Sequence, residues 1–221
     1  MDISTAEKFL LDQIPLRVQR LLPPKLKLAY EAADEHIKAT PMLQIPTAAD
    51  DRGRLISWAV DFAIKGLIES GEWQADYRWQ LFARPTGCYL EVRLPHSTLS
   101  ISQVHFWKDQ PRNAVFRQNA RLGNAQMSFP GFGGEEEIDD AIAGCPSFLL
   151  VHGHRDLQFA HIGIPHQLHQ RGYIYQTQNL MRLLYEAPQS NLPPPEPKRD
   201  IDELLSLKAE IEKWQRDNGE K

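Results

Sequence analysis

The chain has little cysteine and no long apolar run. Its 221 residues include two cysteines, Cys88 and Cys145, too few for a disulfide framework and without the neighbouring cysteine that a zinc site needs. Both are expected as buried thiols in a reducing, cytoplasmic compartment. No stretch approaches the roughly 18 uninterrupted apolar residues that cross a bilayer, and the tightest run, from Phe148 to Val151, has the length of a strand. That excludes a helical span and removes the membrane from the list of expected partners. Asp2, Glu7 and Lys8 surround the first apolar residues, so the basic and apolar regions of a signal peptide are missing as well. No internal repeat and no Ser-His-Asp or Cys-His signature stands out.

What is present fits a folded chain. The hydrophobic share of 42% and the charged share of 24% are near the averages of globular domains, which argues for a core and against disorder. The expected fold class is α+β: N-terminal helices packed on a mostly antiparallel or mixed sheet, followed by a proline-rich linker and a C-terminal helix. The domain is placed at residues 1–187, the linker at 188–199 and a charged, amphipathic tail helix at 200–221.

Apolar residues recur at helical spacing from Phe9 to Leu21, with Pro15 set to split the segment and Pro23-Pro24 to end it. A second, more polar helix is expected over 25–38. A third starts after Asp50 or Asp51, either of which can cap it, repeats at Ile56, Ala59, Val60, Ala63, Ile64 and Leu67, and stops at Gly71. Leu55, Trp58 and Phe62 widen its stripe and predict a position well inside the core. From Tyr77 the period becomes two. Strands over 77–83 and 88–94 flank Pro85-Thr86-Gly87, a hairpin turn. A third strand runs from Leu99 towards Phe106, with a β-bulge expected where its apolar phase shifts between Ile101 and Val104. A fourth strand is expected near 114–117, then a glycine-rich loop and a short helix over 135–143. A buried strand over 148–152, a turn at 153–156, an antiparallel return over 157–164, a strand at 173–175 and a helix over 179–185 complete the domain.

Charge is distributed unevenly. Residues 77–134 hold seven cations, Arg78, Arg84, Arg93, Lys108, Arg112, Arg117 and Arg121, against Glu91 and Asp109, a formal +5 in a chain of net −4. With Tyr89, Phe106, Trp107 and Phe116 among them, an Arg-rich sheet can hold phosphates and stack bases. Arg78, Arg93, Arg112, Arg117 and Arg121 are therefore the candidate anion-binding residues, for nucleic acid or another polyanion. Histidines gather later. His152 and His154 fall on one face if the strand continues, and Asp156 and His161 can complete a divalent-metal site with an open position for water. The His-x-His-x-Asp spacing is similar to the metallo-β-lactamase motif over these five residues alone, with Leu157 where that motif continues with histidine, so it identifies no family.

The order helix, three-strand meander, helix, strand resembles the PD-(D/E)xK nuclease core. That resemblance implies metal-ligating roles for Asp76 and Glu91, with Arg93 standing where the family has lysine. The glycines at 131, 133 and 134 precede three glutamates, which suit a helix N-terminus and repel phosphate, so this loop reads as structural. The tail helix, with Ile201, Leu204, Leu205, Ala209 and Ile211 along one stripe, is expected to capture a protein partner or a second copy, or to fold back on its own domain. Two readings of function follow. The first is a non-enzymatic binding or regulatory module that engages nucleic acid or another anion through the Arg-rich sheet. The alternative is a metal-dependent hydrolase or nuclease that uses the histidines or the Glu91 strand.

Overall fold

A computed structural model of the chain describes residues 3–82, 87–112, 114–124, 145–166 and 172–183, together with Ala209, Glu210 and Lys213, which are helical and exposed. Residues 83–86 of the hairpin, the glycine-rich loop, the 135–143 helix, the linker and the rest of the tail helix lie outside the described residues.

Three helices open the chain. Helix α1 (Ile3–Gln13) and helix α2 (Leu16–Ala39) are separated at Pro15, whose extended ψ of 153° breaks the helical path. The buried side chain of Gln19 closes the break by donating from Nε2 to the Ile14 carbonyl at 2.8 Å. The expected stop at Pro23-Pro24 does not occur, because α2 runs through both prolines. Two interior prolines cost about 3 kcal/mol each. Burial on one face offsets this: Val18, Leu22, Leu26, Ala29, Tyr30 and Ala33 all enter the core, and the three aliphatic members alone are worth about 1.5–3 kcal/mol each.

Helix α3 (Arg52–Glu69) buries the predicted stripe from Ile56 to Leu67 and ends at Gly71, whose φ of 76° suits the glycine that follows a helix. Its start differs from expectation. A 3-10 segment over Pro46–Asp51 runs directly into it, so Asp51 is itself helical in φ and ψ and makes no capping bond. Trp58 remains 39% exposed, which puts the outer edge of the widened stripe at the surface.

The sheet has six strands in sequential order: β1 (Asp76–Leu81), β2 (Cys88–Arg93), β3 (Thr98–Val104), β4 (Ser147–Gly153), β5 (Ala160–Pro165) and β6 (Tyr173–Gln176). All neighbours are antiparallel except β3 and β4, which run parallel from Thr98↔Ser147 to Val104↔Gly153. The α+β class and the mixed sheet are thus as expected. Two three-strand meanders meet at one parallel seam, and the crossover between them carries helix α4 (Val115–Gly123). That helix occupies the place of the expected fourth strand. Arg117 and Arg121 lie one turn apart on it, a four-residue spacing that alternation could not produce.

Both sheet faces are covered near the seam. Val92, Leu99, Phe148, Leu150, Ile162 and Ile164 pack on the N-terminal helices. On the opposite face, Val104, Leu149, Val151 and Phe159 pack with Trp107 and Tyr173. The phase shift in β3 therefore marks a change of buried face rather than a bulge, since its register with β4 is unbroken. The register shift that does occur lies between Ile164 and Pro165, opposite β6. Helix α1 packs on β6, where the Tyr175 hydroxyl donates to the Glu7 carboxylate at 3.0 Å. The expected 179–185 helix begins as a 3-10 turn over Leu180–Arg182, with Asn179 accepting from the Met181 amide. Both cysteines are exposed rather than buried, Cys88 at the start of β2 and Cys145 just ahead of β4. No described helix is long and apolar enough to cross a membrane.

Candidate functional site

On the sheet face opposite the N-terminal helices, α4 and the 108–112 segment border a cavity of about 460 Å³ that opens to solvent past the exposed Lys108 and Arg112. The segment is anchored towards β6: Gln110 donates to the Gly172 carbonyl and the Tyr173 hydroxyl to the Asp109 carbonyl. Helix α4 is anchored elsewhere. Arg117 donates to the Ser102 hydroxyl at 3.0 Å, and the fully buried Asn124 at its end bonds the Ser147 carbonyl, the Ser147 amide and the Pro165 carbonyl. The cavity lies between these two sets of ties, and its floor includes Ser100, Ser147 and Leu149 from β3 and β4.

Lys108, Arg112, Arg117 and Arg121 all line this cavity, against Asp109 as the one carboxylate among the described lining residues. No ion pair with a described carboxylate engages any of the four cations. Arg117 bonds Ser102 and the Arg112 carbonyl through its two terminal nitrogens, but its buried Nε has no partner among the described residues, and neither has Nε of Arg121. Burial lowers the pKa of Arg117 from its usual value, though a guanidinium stays protonated at any ordinary pH. The guanidinium also lies 4.6 Å from the centroid of the Phe116 ring, a favourable cation–π distance.

The other two candidate arginines are elsewhere. Arg78 pairs across the hairpin with Glu91, Nε to Oε1 at 2.8 Å, and Arg93 sits exposed at the far end of β2, opposite Asp76. Asp76, Glu91 and Arg93 do share one sheet face, because alternate residues on paired strands point the same way. The Glu91 carboxylate, however, already accepts from Arg78, Gln80 and Tyr89. Tyr89 in turn stacks on Phe116 at 4.3 Å and on Phe82 at 5.3 Å, so these rings face one another rather than forming an open platform.

The histidines divide. His152 projects to the helix face, where Nδ1 lies 2.7 Å from the Tyr30 hydroxyl; that hydroxyl also donates to the Gly153 carbonyl. With a single proton, Tyr30 donates to the carbonyl and accepts from Nδ1–H, which selects that tautomer of His152. Complete burial holds the His152 pKa down at about 3. His161 points to the opposite face, since its strand partner is Val151 while His152 pairs with Ala160. It is enclosed by Trp107, Phe159 and Tyr173, neither ring nitrogen has a partner among the described residues, and burial pushes its pKa down to about 4.

His154 lies past the end of β4, its ring 4.3 Å from that of His105 and its Nδ1 3.1 Å from Gln103 Oε1. Asp156 is in the following turn, where Arg155 adopts a φ of 66°. The four proposed ligands thus do not converge, and among the described residues no three His, Cys, Asp or Glu side chains are placed to hold a metal ion.

No family model, curated protein or solved structure matches the chain. Sequence reasoning found three of the cavity's arginines but missed the serine floor, Asn124 and Tyr30. The four-residue spacing of Arg117 and Arg121 could have revealed α4. Nothing local marks Asn124 or Tyr30, whose partners lie 23 to 123 residues away.

Proposed function

We propose that the chain is a non-enzymatic binding module that takes an anionic ligand in the cavity between α4 and the 108–112 segment. The observation that carries this reading is the convergence of Lys108, Arg112, Arg117 and Arg121 on one cavity whose described lining holds a single carboxylate, Asp109. Like charges brought together in a concavity repel one another, and an incoming anion relieves that repulsion. The net charge of −4 for the whole chain makes the concentration of cations in one concavity informative, because such clefts focus potential on an anionic ligand.

An extended nucleic-acid track along the sheet has weaker support. Arg78 is neutralised by Glu91, Arg93 stands apart from the cavity, Tyr89 and Phe116 stack on each other, and Trp107 packs on Phe159 and His161. The hydrolase or nuclease reading has no comparable support either, since Glu91 is committed to three donors and the histidines lie on different faces.

Calorimetric titration at low salt with orthophosphate, succinate and a short single-stranded oligonucleotide tests the proposal. At least one anion is expected to bind, to weaken as salt rises, and to lose at least tenfold in affinity in a Lys108→Ala, Arg121→Ala double variant that retains the native circular dichroism. No binding by any anion, or unchanged affinity in the variant, would overturn it.

A further inference from the structure

The cavity also restricts the class of ligand. We infer that it takes a phosphate monoester of about sugar size, with the phosphate among Lys108, Arg112, Arg117 and Arg121 and the body against the apolar part of the wall; this rests on the reading of the cavity as an anion site.

Charge density is the first argument. Four cations and one carboxylate give the described lining a formal +3. Two of the cations project from successive turns of one helix, where residues four apart stand about 5–6 Å from each other. A single carboxylate leaves most of that charge uncompensated, and a linear dicarboxylate spreads its two charges to opposite ends. A phosphate monoester concentrates about −1.5 to −2 at pH 7 on three oxygens, each open to a separate donor. The guanidinium fork matches such oxygens in bidentate fashion, and no described carboxylate pairs with any of the four cations. Ser100 and Ser147 add hydroxyls on the floor.

Size and wall chemistry supply the second argument. A volume of about 460 Å³ falls in the range of about 300–1,000 Å³ that encloses small organic ligands, so a bare inorganic anion leaves most of it unfilled. A phosphodiester carries one charge and has to leave the site in two directions. The wall also contains Pro111, Ala120, Leu149 and Pro165, apolar surface that an anion alone does not use. Asp109 repels a second phosphate and accepts hydrogen bonds, which suits a body bearing hydroxyl groups.

The test titrates the full chain with ribose 5-phosphate, ribose, succinate and a short oligonucleotide. Ribose 5-phosphate is expected to bind at least tenfold more tightly than succinate, with no detectable heat from ribose, and Arg121→Ala is expected to weaken it at least tenfold. If Arg121→Ala does not fold, Lys108→Ala on the 108–112 segment gives the same readout. Succinate binding as tightly as ribose 5-phosphate overturns the phosphate inference and leaves the anion site standing. Tighter, salt-sensitive binding of the oligonucleotide overturns the small-ligand inference in the same way. If none of the anions binds, both readings fall.

Discussion

The Tyr30 hydroxyl, in the second half of α2, meets Nδ1 of His152 near the end of β4 at 2.7 Å, joining residues 122 apart in the chain. One oxygen satisfies two buried groups, the imidazole N–H and the Gly153 carbonyl. Tyr30→Phe keeps the ring and strands both. Since each buried polar group left unpaired costs about 1–3 kcal/mol, the variant is expected to lose about 2–4 kcal/mol in urea unfolding. A loss below about 0.5 kcal/mol would show that the contact contributes little.

The two buried imidazoles make a contribution to stability that acid removes. His161 has a folded pKa near 4 and His152 one near 3, while unfolded histidine titrates near 6.5. Between these values the unfolded chain binds protons that the two folded imidazoles refuse, so their contribution to stability is complete above about pH 6.5 and is lost as pH drops below it. Asp61, whose pKa burial raises to about 7, acts with the opposite sign over the same range, which makes the comparison with His161→Phe the informative one. From pH 7.5 to pH 5 the variant is expected to lose about 1–2 kcal/mol less than the wild type. Equal losses would refute a neutral, buried His161.

The prolines inside α2 give a test with the opposite sign. Pro24 is exposed, so Pro24→Ala restores a helical amide without opening the core. Removing an interior proline is worth up to about 3 kcal/mol, and the gain in unfolded-chain entropy takes back about 0.4–1 kcal/mol. The melting temperature should rise, with a net stabilisation of about 1–2 kcal/mol. A fall would mean that the prolines are fitted to a bend that alanine does not reproduce.

Gly163 links the sheet to the cavity. A Cβ placed there would lie 2.4 Å from the Tyr173 ring, and Tyr173 both covers His161 and holds the 108–112 segment through Asp109. Gly163→Ala is expected to cost about 1–3 kcal/mol as an overpacking substitution and to weaken anion binding by displacing that segment. Full stability with unchanged binding would show that Tyr173 moves aside freely and that the tie is not needed.

These relationships mark where the sequence was legible. Helix α3, the β1–β2 hairpin and the β4–β5 pair each write their burial into a local period, and the structure contains all three. The continuation of α2 was hidden because proline is a strong local signal, while the burial that overrides it comes from α3 and the sheet. Helix α4 reads locally as a strand because Ala114 to Arg117 is short and its anchors, Ser102, Ser147 and Pro165, are distant. The surplus of arginine was visible in composition. Its convergence was not, since Arg117 and Arg121 reach Lys108 and Arg112 only after α4 has crossed the sheet. The histidine spacing misled for a simple reason. His152 and His161 sit on neighbouring strands, but at positions of opposite parity in the pairing.

The contact between Glu7 and Tyr175 has a consequence for the chain as it is made. The partners are 168 residues apart, and a ribosome adds roughly 5–20 residues per second. Helix α1 therefore waits on the order of 10 s or more after its synthesis before the strand it packs on emerges. During that interval the side of helix α1 that packs on β6 has nothing to cover it, and the nascent chain is open to chaperone capture at this end.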